Sequence, residues 1–226
     1  MKIIIDSRMR TEEKAYLSQY GDLIEIQPQE YVYEEISGHP DIFFCKINNT
    51  LFECPNIGLK IGKIGNLKIE NEYPKDIRYN ICQIGKYVIH NFNYTDKTIL
   101  EYINNSNLEK INIKQGYSNC SISVLSDNSC ITSDKKINKI LKTKNINSLY
   151  VSNKHIHLLN KNKFMTNMEG FIGGASCVIN NTFILFGDSK YLENNKELIK
   201  FINEQKLSFK EFKNLEIIDY GGIITI

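Results

Sequence analysis

Positions 38 to 41 read GHPD, which places a histidine and an aspartate two residues apart directly before the apolar run IFF. Side chains two positions apart on an extended chain point to the same side, so His39 and Asp41 would face one bound group together. Imidazole and carboxylate groups can transfer protons to and from such a group. The alternative is a proline-containing turn in which Asp41 binds only the backbone. The sequence leaves both interpretations open.

The cysteines and histidines show no pattern typical of a metal site. The six cysteines form no CxxC pair, and the four histidines do not combine with them at zinc-site spacing. Most of the cysteines lie in apolar runs such as FFC, NIC and ASC, where a small buried thiol is expected. His90 is expected to alternate outward from its strand to the surface. These patterns predict neither a metal nor a cofactor.

Charge and composition exclude several classes of protein. The 226 residues include 28 basic and 26 acidic side chains, and no segment concentrates the basic ones, which argues against nucleic-acid binding. The first residues, MKIIIDSRMRTEEK, contain too short an apolar run for a signal peptide, and no run approaches the length of a membrane span. We therefore expect a cytoplasmic protein without a membrane partner, folded as a single domain over residues 1–226.

A repeat runs through the chain, in which a glycine, an apolar strand, a tight turn and a second apolar strand follow one another. The copies lie at 38–55, 79–91, 116–134 and 170–188, although the second has no leading glycine. Their turns read NN at 48–49, GK at 85–86, SDN at 126–128 and NN at 180–181. Because Asn, Asp and Gly tolerate positive φ, these turns predict four β-hairpins.

An amphipathic helix and a third strand are predicted after the hairpins. Thr95 and Ser133 are expected to cap two of the helices, because apolar residues at helical spacing follow each of them. The predicted third strands are EKINI at 109–113, NSLYV at 147–151 and LEIID at 215–219. In the first copy the helix would fall in NIGLKIGKIGN, where glycines favour a turn or loop.

A fifth unit is split between the two ends of the chain. The last residues, GGIITI, form an apolar strand, and the first residues supply KIIID, the helical TEEKAYLSQYG and the strand DLIEI. Joined end to start, these segments again read strand, strand, helix, strand. Pairing of the first and last strands would close a ring and remove exposed strand edges.

Five such units in about 225 residues resemble the α/β pentein fold, a pseudo-five-fold propeller of ββαβ units. This fold is shared by the guanidine-modifying enzymes, which include deiminases, amidinotransferases and dimethylarginine dimethylaminohydrolase, and by translation initiation factor six. The length and lean build are similar to those of an uncharacterised clostridial group of pentein-like domains. The resemblance covers essentially the whole chain and implies a central polar channel, lined by the segments that lead into the first strands. It implies ligand-binding positions in those segments at Asp76, Arg78 and Asn119.

The guanidine-modifying enzymes use a Cys nucleophile, a His general acid/base and carboxylates that bind the guanidinium. In these enzymes the Cys normally follows a Gly-Gly pair near the C-terminus, but the matching stretch here, DYGGIITI, has no Cys. Their Gly-His-x-Asp motif lies in an interior unit, where this chain reads GFIGG and has Phe171 and Gly173 in place of His and Asp. A site rotated within the ring would instead combine His39, Asp41 and Cys120.

In this rotated site Asp219 and Glu169 would supply further carboxylates. Alignment on the turns places Asn119 level with Asp41, so strand alternation would direct the neighbouring Cys120 into the protein.

Two functions are compatible with this resemblance. The first is a pocket for a guanidino-type or similar cationic small molecule, with hydrolysis or amidino transfer if the rotated Cys-His-acid set is active. The second is a non-catalytic protein, either a metabolite sensor or a protein- or ribosome-binding pentein like the translation factor. The linker FMTNMEGFIGG is interpreted as a flap over the channel. Convergence of the five rotated-site side chains would favour the first function. The identity of the ligand and the oligomeric state stay open.

Overall fold

The computed structural model describes residues 1–226 and contains eighteen short strands and six α-helices. The strands are β1 Lys2–Asp6, β2 Asp22–Ile26, β3 Phe44–Ile47, β4 Thr50–Glu53, β5 Lys63–Ile64, β6 Cys82–Ile84, β7 Tyr87–His90, β8 Glu109–Asn112, β9 Ile122–Ser126, β10 Ser129–Thr132, β11 Asn147–Tyr150, β12 Ile156–Leu159, β13 Met165–Glu169, β14 Ser176–Ile179, β15 Thr182–Leu185, β16 Ser208–Lys210, β17 Ile217–Ile218 and β18 Ile224–Thr225. The helices are α1 Thr11–Leu17, α2 Pro40–Phe43, α3 Lys97–Asn104, α4 Ser118–Ser121, α5 Lys135–Thr143 and α6 Asn195–Glu204. No helix is long and apolar enough to cross a membrane.

Five of the six three-stranded sheets share one topology, in which the first strand is antiparallel to the second and the second is parallel to the third. These sheets are β18-β1-β2, β3-β4-β5, β6-β7-β8, β9-β10-β11 and β14-β15-β16. A parallel pair needs a crossover connection, and α1, α3, α5 and α6 supply it in four sheets. The structure is therefore of the mixed α/β class, and its first and last strands pair as predicted, with Ile3 opposite Thr225.

The four predicted hairpins are present. In three of them the turn residues Asn48, Gly85, Asn180 and Asn181 have positive φ, as their residue types indicated, whereas no residue of the turn at 126–128 does. The predicted helix caps are each wrong by one residue, because Asp96 and Asp134 accept the backbone N–H groups of α3 and α5 instead. A carboxylate is well suited to this position, since it also interacts favourably with the positive end of the helix.

Thr95, displaced from its predicted capping role, contacts His90. Its Oγ1 lies 2.7 Å from Nδ1 of His90, and the backbone oxygen of Ile77 lies 3.0 Å from Nε2. His90 is therefore buried, and the predicted surface position is wrong. Burial lowers the pKa of His90 to about 4, so the imidazole is neutral near neutral pH.

The third strand of the last copy differs from the prediction. Residues Ser208–Lys210, directly after α6, pair with β15, whereas Ile217–Ile218 of the predicted strand pairs with β12. The physical reason is that α6 ends close to β15, and Ser208 N donates a hydrogen bond to Asn181 O in the hairpin turn. The sixth sheet, β13-β12-β17, lies outside the repeat, and the predicted flap forms its strand β13.

A buried carboxylate replaces the missing helix of the first full unit. Glu53, at the end of β4, accepts hydrogen bonds from the backbone N–H groups of Lys60, Ile61 and Gly62 at 2.7, 2.8 and 3.1 Å. These bonds shape the loop that leads to β5, where Phe52 pairs with Lys63. The first part of the Gly-rich segment is thus a loop, as the sequence indicated, and Glu53 holds it, whereas its last part contains the short strand β5.

We predict that Glu53→Ala lowers the free energy of unfolding by about 2 kcal/mol, because three backbone donors lose their acceptor. Urea unfolding followed by circular dichroism measures this change. Glu109→Ala is the matched control, since it removes an exposed carboxylate whose partner is the exposed Lys86, and only a small change is expected. Equal effects of the two substitutions would contradict the role of Glu53.

Candidate functional site

The segment GHPD forms a helical turn rather than the start of a strand. Pro40 occupies the first turn of α2, where its missing N–H has no cost, and His39 is the N-cap. Ile42 and Phe43 pack into the largest apolar cluster and anchor the turn. His39 and Asp41 are completely buried. The extended geometry expected for this pair is wrong, but both side chains still reach one site.

Cys120 lies in a second helical turn, α4, and contacts Asp41. Its thiol donates a hydrogen bond to Oδ2 of Asp41 at 2.8 Å, and the amide of Asn119 donates to the same oxygen at 3.2 Å. The expectation that Cys120 points away from Asp41 is wrong, because neighbours in a helical turn lie about 100° apart rather than on opposite sides. Cys120 and Asn119 can therefore reach the same carboxylate.

Asn80 holds α4 in place, and the sequence analysis missed it. Its Oδ1 accepts hydrogen bonds from the backbone N–H groups of Asn119 and Cys120, at 2.7 and 3.3 Å. Its Nδ2 contacts Sγ of Cys120 at 3.2 Å and the backbone oxygen of Asp41 at 3.3 Å. The signal was a polar residue directly before the apolar IC of the second copy, at the position that leads into a first strand.

Asp219 approaches the same place from the segment before β18. Its two oxygens accept hydrogen bonds from the backbone N–H groups of Gly221 and Phe171, each at 2.8 Å. Its Oδ1 lies 3.8 Å from Nδ1 of His39. Glycine is required beside it: a Cβ on Gly170 would lie 2.5 Å from the Cβ of Asp219. Gly221, with φ of +69°, would carry a Cβ against Asp41 and His39.

The electrostatics of this group favour a bound cation. Burial raises the pKa of Asp41 to about 6, and burial together with the charge of Asp41 raises the pKa of Asp219 to about 7. Burial and the same carboxylates raise the pKa of the Cys120 thiol, whereas burial lowers the pKa of His39. His39 and Asp219 are therefore not an ion pair at neutral pH. A nearby positive charge would favour ionisation of both carboxyls and the thiol.

Several buried polar atoms of the site have no partner in the protein. Both ring nitrogens of His39 and Oδ1 of Asp41 make no hydrogen bond. Such atoms are unusual in protein interiors, because each costs free energy unless a partner satisfies it. His39, Cys120 and Asp219 also place one possible metal-ligating atom each within 4.8 Å of one another. Nitrogen, sulfur and oxygen donors of this kind can hold a zinc ion, and the sequence spacing did not predict the group because its members come from three distant segments.

A cavity of about 570 Å³ opens onto the site. It is lined by Tyr33, Glu35, Ile36, His39, Gln115, Tyr117, Cys120, Leu158, Met168, Glu169, Phe171 and Asp219.

Of the other predicted ligand-binding residues, Glu169 lines the cavity, whereas Asp76 lies behind the wall and accepts a hydrogen bond from the hydroxyl of Tyr117. Arg78 lies outside the cavity lining, where it contacts Glu70 and the backbone oxygen of Lys68.

Comparison with known families identifies the chain at the family level. The family described as "Family of unknown function (DUF6873)" matches residues 4–224. The chain belongs to this family. No curated protein matches it. Among solved structures, the DUF6873 chain is similar to the crystal structure of a dimethylarginine dimethylaminohydrolase variant in an adduct with S-methyl-L-thiocitrulline, with a TM-score of 0.53 and 10% identity, over 93% of this chain and 91% of that one. This likeness supports the pentein fold for the DUF6873 chain, and similarity to a clostridial group stays a prediction.

We predict that Asp219→Asn changes how stability depends on pH. The folded-state pKa of Asp219 is raised, so the folded protein binds a proton more tightly than the unfolded chain, and the wild type loses stability as pH rises from about 4 to 7. The variant lacks this loss. Relative to the wild type, its free energy of unfolding should therefore rise by about 4 kcal/mol between pH 4 and 8.

Urea unfolding at each pH measures this difference, and Asp22→Asn, which changes an exposed carboxyl in β2, is the matched control. Parallel pH profiles for the wild type and Asp219→Asn would contradict the raised pKa.

Asn80→Asp should slow alkylation of Cys120, because a carboxylate in place of the amide destabilises the thiolate. We expect a rate about tenfold lower at pH 8, since one unit of thiol pKa changes the thiolate fraction tenfold. Iodoacetamide labelling and peptide mapping would measure the rate, with Cys177 as the reference in the same digest. An unchanged ratio of the two rates would argue against the contact between Asn80 and Cys120.

Proposed function

We propose that this protein binds a guanidino-type cation in the cavity beside Cys120 and cleaves a carbon–nitrogen bond of that group. The observation that carries the proposal is the convergence of a thiol, an imidazole and two carboxylates at the buried end of one cavity. These groups come from the segments before β3, β9 and β18. Their convergence is what the rotated site requires.

The choice of a guanidino cation rests on the carboxylates. Asp41 and Asp219 are both buried, and neither forms an ion pair with a lysine or arginine. His39, whose Nδ1 lies 3.8 Å from Oδ1 of Asp219, is neutral. A bound cation would compensate for their lost hydration. A guanidinium suits such a place because its planar N–H groups can donate to several carboxylate oxygens at once. The unprotonated ring nitrogen of His39 and the free oxygen of Asp41 could then each accept a hydrogen bond from the guanidinium.

The reaction begins with the thiol. Cys120 gives up its proton, Sγ forms a bond to the central guanidino carbon, and the bond from that carbon to the leaving nitrogen breaks. Asp41 accepts the proton of the thiol and His39 passes it on to the leaving nitrogen. The imidazole can do this because it accepts a proton at one ring nitrogen and donates one from the other. Water then forms a bond to the carbon of the thiouronium and the C–S bond breaks. One water proton restores the Cys120 thiol, the other leaves to solvent through His39, and the product is a urea.

We further propose that the repeated units form a five-bladed ring around this site. The pairing of β1 with β18 joins the two ends of the chain. Backbone contacts also link neighbouring units near the site: Gly174 N donates to Cys120 O at 3.0 Å, and Gly222 N donates to Gly174 O at 2.8 Å. These contacts support a common centre for three of the units.

The test is binding and turnover of guanidino compounds by the wild type and Cys120→Ala. We expect the wild type to release an amine or ammonia from at least one of agmatine, arginine and the methylated arginines, and to form an adduct on Cys120 that mass spectrometry detects. Cys120→Ala should bind the same compound without releasing product, and Cys130→Ala, which removes a buried thiol outside the site, should keep its activity.

Asp219→Asn should weaken binding at least tenfold, because it removes one of the two carboxylates that face the cation. Binding without turnover by the wild type would instead support the non-catalytic sensor. Absence of binding by every compound would contradict the proposal.

A further inference from the structure

The cavity wall contains no lysine or arginine, and its histidine, His39, is neutral. Of its twelve residues, three are acidic and none is Lys or Arg. Arg8 is buried, but its guanidinium is fully used by Asp6 and by the backbone oxygens of Glu34, Glu35 and Leu159. A ligand carboxylate would therefore find no positive partner in this cavity.

Two further carboxylates, Glu35 and Glu169, line the more open part of the cavity. Glu35 is half-buried and Glu169 is exposed, whereas His39, Cys120 and Asp219 are buried. Neither glutamate side chain makes a hydrogen bond or an ion pair with the rest of the protein. Lys154, which interacts with the charge of Glu169, forms its ion pair with Glu193 instead. Both carboxylates are thus available to a ligand.

The rest of the wall is mostly apolar and aromatic. Tyr33, Ile36, Tyr117, Leu158, Met168 and Phe171 supply it. Tyr33 and Met168 expose 39% and 56% of their surface, which is a large apolar exposure beside a cavity. An alkyl chain would bury this surface, and the aromatic faces would also favour a cation attached to it.

Resting on the proposed function, we infer that the ligand is a dication without a carboxylate, namely an aminoalkyl guanidine. Its guanidinium lies between Asp41 and Asp219, its alkyl chain lies along the aromatic wall, and its amino group faces Glu35 and Glu169. The unpartnered nitrogens of His39 and oxygen of Asp41 mark the buried end as a place for a ligand independently of the two glutamates. A guanidino amino acid would bring its carboxylate among like charges, which disfavours binding.

Three related ligands test this inference: agmatine, arginine, which adds a carboxylate to agmatine, and butylguanidine, which lacks its amino group. Isothermal titration calorimetry with Cys120→Ala, which cannot turn the ligands over, gives the three dissociation constants. We expect agmatine to bind about fivefold tighter than butylguanidine, and arginine to bind more weakly than either. The preference for agmatine over butylguanidine should shrink as salt concentration rises, because exposed charges are screened.

Glu35→Gln and Glu169→Gln together, added to Cys120→Ala, should weaken the binding of agmatine about fivefold and leave the dissociation constant of butylguanidine unchanged. Glu197→Gln, on the exposed face of α6, is the matched control and should change neither constant. Butylguanidine binding with no preference for agmatine, or arginine binding as tightly as agmatine, would overturn this inference and leave the proposed function standing. Failure of all three ligands to bind would overturn this inference, and failure of the methylated arginines as well would overturn the proposed function.

Discussion

The hydrogen bond from the Cys120 thiol to the Asp41 carboxylate joins two repeats of this protein in a buried group of ionisable side chains whose charged forms are disfavoured. It connects α2 with α4, which lead into different sheets. A second buried carboxyl, Asp219, lies in the same group and has its pKa raised to about 7. Burial and the charge of Asp41 both disfavour ionisation of Asp219, and a bound cation would favour release of its proton.

The surrounding backbone is arranged to tolerate this group. Two backbone N–H groups hold Asp219 in position. Gly170 and Gly221 allow the chain to approach it and Asp41 more closely than a side chain would permit. Asn80 satisfies the N–H groups of α4 and contacts the thiol. A site that is unfavourable in itself is therefore held by hydrogen bonds from segments that the packed sheets fix in place.

The cavity combines an acidic buried end with an apolar wall and two acidic side chains near its opening. This distribution of charge would disfavour a ligand carboxylate, because that group would be placed among carboxylates. The sixth sheet contributes to this distribution. Its strands β12 and β13 supply Leu158, Met168 and Glu169, so the part of the fold outside the repeat shapes the cavity.

The sequence by itself determined the repeated hairpins, since Asn and Gly at the turns set the backbone through their own φ preferences. It also indicated the crossover helices, because apolar periodicity is a local property, and the resemblance to the guanidine-modifying enzymes pointed to His39, Asp41 and Cys120. Only the tertiary structure decided that Cys120 faces Asp41, that Asn80 belongs to the site and that Arg78 does not.

The same limit explains the misplaced third strand. Ile217–Ile218 is as apolar as a strand of the repeat, but pairing depends on which neighbour the preceding chain can reach. Orientation, pKa and pairing all depend on residues distant in sequence, and a local pattern contains no information about those distances.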